Sequence, residues 1–204
     1  MKIARSLTAL LLGLGFGLLL VASCGDDSGS NPKGESPRKT PQGLLDYYVE
    51  CLEEQNLAGY EACLWESYLF GFSEPDWDSA GVTPDNPYWG LTEDVASTEN
   101  MFASAQVLNI NAALLNVSNF TGPDSLLTIR CKPMIDVTIE GPHGEEPVVK
   151  QVRNSYLDFV LRPDPHDEDL WVIREIQEEL AWYESPRPVA VESSTFGEIK
   201  CIFK

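Results

Sequence analysis

The chain has 204 residues, 43% of them apolar, which suits a folded core and excludes wholesale disorder. It carries 32 acidic against 14 basic residues, a formal net charge of −18. That surface repels phosphate backbones, so nucleic acid is excluded as a natural partner, while cations, basic partners and plain solvation remain.

The first element is an export signal. Lys2 and Arg5 form a short basic region, Leu7 to Leu20 is an apolar run, and the small residues Ala22 and Ser23 follow. Basic, then apolar, then small is the layout of a removable leader. The run is short beside the roughly 20 residues of a permanent membrane span. The tetrapeptide Val21-Ala22-Ser23-Cys24 resembles a bacterial lipobox, with valine where leucine is commonest. The resemblance implies a diacylglyceryl group on the Cys24 thiol and cleavage that makes Cys24 the new N-terminus. Several acyl chains on one residue hold a protein stably, because each buried methylene contributes about 0.8 kcal/mol. With Gly25 rather than aspartate next, a proteobacterium-like system would deliver such a protein to the outer membrane. The expected organisation is a signal over residues 1–23, a tether over 24–40 carrying the lipid on Cys24, and one domain over 41–204. The tether reads GDDSGSNPKGESPRKT after the cysteine and has no apolar periodicity.

Thr40-Pro41 starts the first helix, with a hydroxyl cap and proline at the first position. Leu44, Leu45, Tyr48 and Leu52 fall on helical spacing. Asn56 to Gly59 breaks it, and Tyr60 to Trp65 reads as a short second helix. Tyr68, Phe70 and Phe72 alternate as a strand. Ser73 to Gly90 reads as a loop, after which Thr92 caps a third helix with Val95, Phe102 and Ala105 toward the core. The period then falls to two. Leu108 to Leu114, Leu127 to Cys131, Ile135 to Ile139, Val148 to Leu161 and Leu170 to Ile176 read as strands. Thr195 with Glu198 forms a capping box for a last short helix with Phe196, Ile199 and Phe203 on one face. Helices followed by a strand meander argue an α+β domain.

The stretch TPQGLLDYYVECLEEQNLAGYEACLWESYLF, residues 40–70, resembles the opening of nuclear transport factor 2-like (SnoaL-like) domains. The ending STFGEIKCIFK, residues 194–204, is similar to a tail of bacterial lipoproteins of that type. The resemblance implies a cone, also described as cystatin-like, in which a curved antiparallel sheet packs against the N-terminal helices around a cavity. Isomerases, cyclases, epoxide hydrolases and non-catalytic modules share that fold, so fold alone does not fix function.

Few groups offer catalysis. His143 and His166 both lie in expected turns, which removes the usual acid–base residue from any cavity. Steroid isomerases of this fold use an aspartate base with tyrosine and a second acid as oxyanion donors. Asp136 and Asp158 sit on strands, with Tyr48, Tyr68 and Tyr156 as partners, but Asp136 alternates away from Ile135 and Val137. Asp76, Asp78, Gly81 and Asp85 mimic a calcium loop, and Ala80 and Pro87 stand where ligands are required. Asp164, Asp167, Glu168 and Asp169 read as a solvated turn. No metal and no cofactor is expected. The largest signal is aromatic: Tyr48, Trp65, Tyr68, Phe70, Phe72, Trp89, Phe102, Tyr156 and Trp171 are the candidate walls of an apolar pocket, with Phe159 and Trp182 beside them. Cys51, Cys63, Cys131 and Cys201 allow three pairings. Cys51 and Cys63, on consecutive helices, form the candidate disulfide, with buried free thiols as the alternative.

These features point to a lipid-anchored protein of the bacterial envelope whose domain binds a small apolar ligand or an envelope protein. A SnoaL-like isomerase or cyclase is the alternative, and a homodimer through the sheet is a third reading. If Cys24 is the anchor, labelled palmitate enters the expressed chain and not its Cys24→Ala variant; equal labelling of both disproves the assignment.

Overall fold

Thr40 opens the first helix α1 (Pro41–Glu53), its hydroxyl accepting from Gly43 N at 3.0 Å. The computed structural model describes residues 36–122, 126–141, 146–153, 155–181 and 193–204. Cys24, His143 and Trp182 therefore lie outside the described residues, as do the leader and most of the tether. No described helix is long and apolar enough to cross a membrane.

α1 buries Leu44, Leu45, Tyr48, Cys51 and Leu52 on one stripe. It ends where Gln55 takes the left-handed conformation, φ 53°, and Asn56 N returns to Cys51 O at 2.8 Å. Asn56 then caps α2 (Leu57–Cys63) through Gly59 N. Trp65, expected in that helix, belongs instead to strand β1 (Leu64–Gly71). The expected loop 73–90 contains a short helix α3 (Trp77–Ala80), closed by Gly81 at φ 70°, and a short strand β2 (Tyr88–Gly90). Next comes α4 (Leu91–Ala103), capped by Gly90 rather than Thr92. Ala105 lies past its end and is exposed.

The strands that follow are β3 (Val107–Thr121), β4 (Leu127–Ile139), β5 (Val148–Val152), β6 (Ser155–Pro163), β7 (Trp171–Leu180) and β8 (Ser193–Ser194), with a final helix α5 (Phe196–Ile202). The sheet order is β2-β1-β7-β6-β4-β5-β8, and β3 pairs β4. Most pairings are antiparallel as expected, but β1–β7 and β5–β8 are parallel. The stretch expected as one strand from Val148 to Leu161 is two. β6 pairs β4 over Leu127–Cys131, and β5 pairs it over Ile135–Ile139. Pro133 falls between the two partners, where its missing N–H removes no bond on that side.

The core joins Ile129, Cys131, Ile135, Val137, Leu157, Phe159, Leu161, Ile173 and Ile176 of the sheet to Tyr48, Tyr60 and Met101 of the helices and to Phe196, Ile199 and Phe203 at the end of the chain. An α+β cone with helices against a curved sheet is the architecture.

Gly59 marks a close approach of α2 to α1. A Cβ there meets Cys51 Sγ at 2.5 Å and Tyr47 OH at 2.7 Å. Gly59→Ala is expected to lower the unfolding free energy by about 1–3 kcal/mol in denaturant titration. An unchanged midpoint means that the hairpin is looser than this geometry.

Candidate functional site

The interior of the cone holds charge. α4 turns Asp94, Ser97, Thr98 and Met101 inward, spaced as one helical face. α5 turns Phe196, Ile199 and Lys200 toward them. Lys200 Nζ lies 2.7 Å from Asp94 Oδ1, and neither side chain is exposed at all. The ammonium also donates to Tyr60 OH at 2.9 Å and Thr98 Oγ1 at 3.1 Å, while Tyr60 donates to Asp94 Oδ2 at 2.6 Å. The Oδ1 contact is a charge contact outside hydrogen-bond geometry, so Asp94 has one directed bond and one ionic neighbour. The rings of Phe196, Tyr60 and Phe70 lie 5.1–5.4 Å from Nζ and add cation–π attraction.

Burial, and then the Asp94 charge, push the phenols of Tyr48, Tyr60 and Tyr68 well above the ordinary value of 10. They are neutral donors near pH 7. The Tyr48 and Tyr68 hydroxyls make no directed hydrogen bond among the described residues.

α5 is held at both ends. Glu178 of β7 accepts Phe196 N at 2.7 Å and Gly197 N at 2.8 Å, at the positive end of the helix. Asp76 accepts from Ser73 Oγ and Thr195 Oγ1 at 2.9 and 2.7 Å. At the other end Ser97 Oγ donates to Lys200 O, Asn100 Nδ2 to Phe203 O and Lys204 Nζ to Ala80 O. A cavity of about 340 Å³ opens beside this anchor, lined by Phe72 to Pro75 and Gln177 to Leu180. A second, of about 280 Å³, runs along Ala80 to Thr83, Trp89 and Lys204.

The aromatic candidates separate into three groups. Tyr48, Tyr68 and Phe70 are packed inside the cone, and Phe102 is half-buried against it, its ring edge-on to Tyr60. Phe72 and Trp89 each line a cavity while packing edge-to-face on one another. Trp65 and Tyr156 lie under the guanidinium groups of Arg162 and Arg130, and Trp171 is half-buried at the start of β7. The strand carboxylates are not brought to the interior: Asp158 is bound by Arg130 through two bonds of 2.6–2.7 Å, and Asp136 pairs with Arg153. Asp76 of the acidic loop points inward to Ser73 and Thr195 rather than outward as a ligand. His166 is exposed, 3.9 Å from Glu66. Cys51 and Cys63 are both buried with free thiols.

Sequence reasoning missed Asp94, Tyr60, Thr98 and Lys200. The available signal was a polar series at positions 94, 97 and 98 on a helix otherwise read by its apolar residues, and one lysine inside the apolar face of α5.

No family model and no curated protein matches the sequence. Similarity lies in structure. A candidate aromatic ring hydroxylase from Novosphingobium aromaticivorans superposes with a TM-score of 0.52 at 16% identity, covering 73% of this chain and 92% of that one. A candidate scytalone dehydratase from the same organism gives 0.50 at 7% identity, covering 76% and 88%. A candidate dehydratase of the nuclear transport factor 2-like family from Streptomyces avermitilis gives 0.43 at 17% identity, covering 67% and 90%. The first two carry the comparison, and at such identities it shows the fold alone: this chain shares their α+β fold, with helices packed on a curved sheet.

The interior pair generates a double-mutant cycle. Asp94→Asn or Lys200→Met alone leaves an uncompensated buried charge and is expected to cost about 3–5 kcal/mol, whereas the double variant recovers most of that loss. Additive losses in denaturant melts mean the two charges do not interact. Glu178 generates a pH dependence. Burial, only partly offset by the two amides, raises its carboxyl from 4.5 to about 7. The folded state then binds more protons than the unfolded state between those values. This contribution is fully present below pH 4.5, is lost as pH rises through 7, and is on the order of 3 kcal/mol. Melting between pH 5 and 8 is expected to show a falling Tm that Glu178→Gln flattens. An unaltered slope in the variant assigns the dependence elsewhere.

Proposed function

We propose that this chain is an exported lipoprotein of the bacterial envelope, held to a membrane through Cys24, whose cone-shaped domain binds a small apolar ligand or a protein partner without catalysing a reaction. The observation that carries the non-catalytic part is the pairing of Asp94 with Lys200. Asp94, the acid in the middle of the cone, faces a cation from α5, with no solvent access to either. A carboxylate neutralised this way is a poor proton acceptor, and its cradle leaves no room for substrate. Among the described residues, two cavities near the ends of α5, with Phe72 and Trp89 in their walls, offer places for a ligand. Leu108, Leu115, Val117 and Phe120 of β3 are 50–60% exposed and offer a partner, including a second copy, an apolar strand.

The alternative, a SnoaL-like isomerase or cyclase acting on a small apolar substrate, is favoured by one observation. Tyr60 and Asp94 stand 2.6 Å apart, with Tyr48 and Tyr68 as further neutral donors. That arrangement can abstract and return a proton only after Lys200 withdraws.

Two measurements separate the readings. Native mass spectrometry of the chain with envelope lipid extract, and pull-down from envelope fractions, are expected to retain a ligand or a partner. Proton exchange into small unsaturated ketones in deuterated buffer is expected to stay at the uncatalysed rate, with wild type and with Lys200→Met alike. Exchange that appears or rises in either protein transfers the assignment to the enzyme, and an empty domain with no partner removes the binding reading.

A further inference from the structure

The sheet has two ends, and the chain enters the domain at one of them. Arg38, just ahead of α1, donates to Ala62 O and stands 3.8 Å from Asp164. Asp164 follows β6, whose last residue Pro163 pairs with Trp171, the first of β7. β4 begins at the same end: its Leu127 pairs with Leu161 of β6 and with Thr121, the last residue of β3. The tip of the β3–β4 ribbon and the point of entry therefore share one end of the sheet. They lie no more than three strand spacings apart, or about 15 Å.

That tip is open and apolar. Every residue from Leu115 to Thr121 is exposed, and Leu115, Val117 and Phe120 are 50–60% accessible. Val117 is the extra residue of a bulge between the pairs Asn116–Cys131 and Ser118–Arg130. No described strand pairs the other side of β3. Trp65 and Trp171, both half-buried, belong to the same end, with the Arg162 guanidinium 4.6 Å from the centre of the Trp65 ring.

From this placement we propose that the tip of the β3–β4 ribbon docks on the surface of a zwitterionic phospholipid bilayer. The proposal rests on the reading of Cys24 as the lipidated residue. Cys24 and Arg38 are 14 positions apart, a stretch of chain that spans at most about 50 Å. The anchor thus keeps the entry end within that distance of the lipid, and the tip beside it. Apolar side chains gain by leaving water at the acyl boundary, while tryptophan and arginine suit the headgroup level. The open edge of β3 sets the depth. Unpaired N–H and C=O groups are costly in hydrocarbon, so the tip stays among the headgroups and does not span. Charge sets the lipid. Asp167, Glu168 and Asp169 are exposed in the turn after β6, and the chain has a formal net charge of −18. That field disfavours anionic lipid, and a second copy of this chain equally.

The test uses the full chain, expressed in a bacterial host and reconstituted with phosphatidylcholine vesicles that carry a photoactivatable diazirine close to the acyl carbonyl. Labelled residues are mapped by mass spectrometry after illumination, and the expected label falls on residues 115–121. Leu115→Ser, Val117→Ser and Phe120→Ser together are expected to lower it about tenfold. Leu108→Ser, at the other end of β3, is expected to leave it unchanged. Each of these side chains is exposed, so the variants keep the fold. Replacing part of the phosphatidylcholine by phosphatidylglycerol is expected to weaken the label. No label on residues 115–121, whether they stay bare or are covered in a sedimenting dimer, overturns the docking surface. Label undiminished in the triple variant does the same. Equal or stronger label on the anionic vesicles overturns the choice of a neutral surface. The mass of the peptide that holds Cys24 is read from the same sample. A peptide without acyl groups removes the anchor alone, because label on the ribbon tip is scored with or without it.

Discussion

The ion pair between Lys200 and Asp94 is the constraint around which the interior is arranged. Two charges removed from water are expensive, and their attraction repays that only where the remaining polar atoms are also met. Here Tyr60 and Thr98 share the ammonium, three rings surround it, and Tyr60 returns a bond to the carboxylate. Such a pair contributes specificity more surely than stability. Phe196 and Ile199 of α5 and Phe203 at its cap are buried in the core, and the same placement sets Lys200 opposite Asp94. Glu178 and Asp76 at the start of the helix, with Ser97 and Asn100 at its finish, select the same position.

This arrangement separates the cone from its surroundings. Asp136 and Asp158 are taken up by Arg153 and Arg130, and Asp94 by Lys200. The acids best placed on regular elements are thus committed to structure. Among the described residues, the cavity beside Phe72 and the exposed side chains of β3 are mainly apolar, while the cavity beside Trp89 mixes polar and apolar walls.

Much of the fold was legible because local signals agreed with it. Thr40-Pro41 and Thr195 cap helices through the bonds their side chains predict, and the alternation of Ile135, Val137 and Ile139 marks a strand face. Legibility failed where a long-range partner outweighed the local pattern. Val148 to Leu161 reads as continuous, yet it divides because its two halves pair with different ends of β4. The candidate site was less legible than the fold. Apolar periodicity selected Val95 and Phe102 on α4, while the fully buried face is Asp94, Ser97 and Thr98. A polar helix face is ordinarily a wet one, and only a cation 106 positions downstream reverses that reading. Aromatic content was visible from the start, but not its division between packed interior and cavity wall.

The position of that cation along the polypeptide bears on how the molecule comes into being. Synthesis runs from the amino terminus, so α1 to α4 and every long strand emerge before residue 200 does. Until then Asp94 lacks the counter-charge that it meets in the folded domain, and a shell closed without Lys200 would carry the same unpaired carboxyl as the Lys200→Met variant.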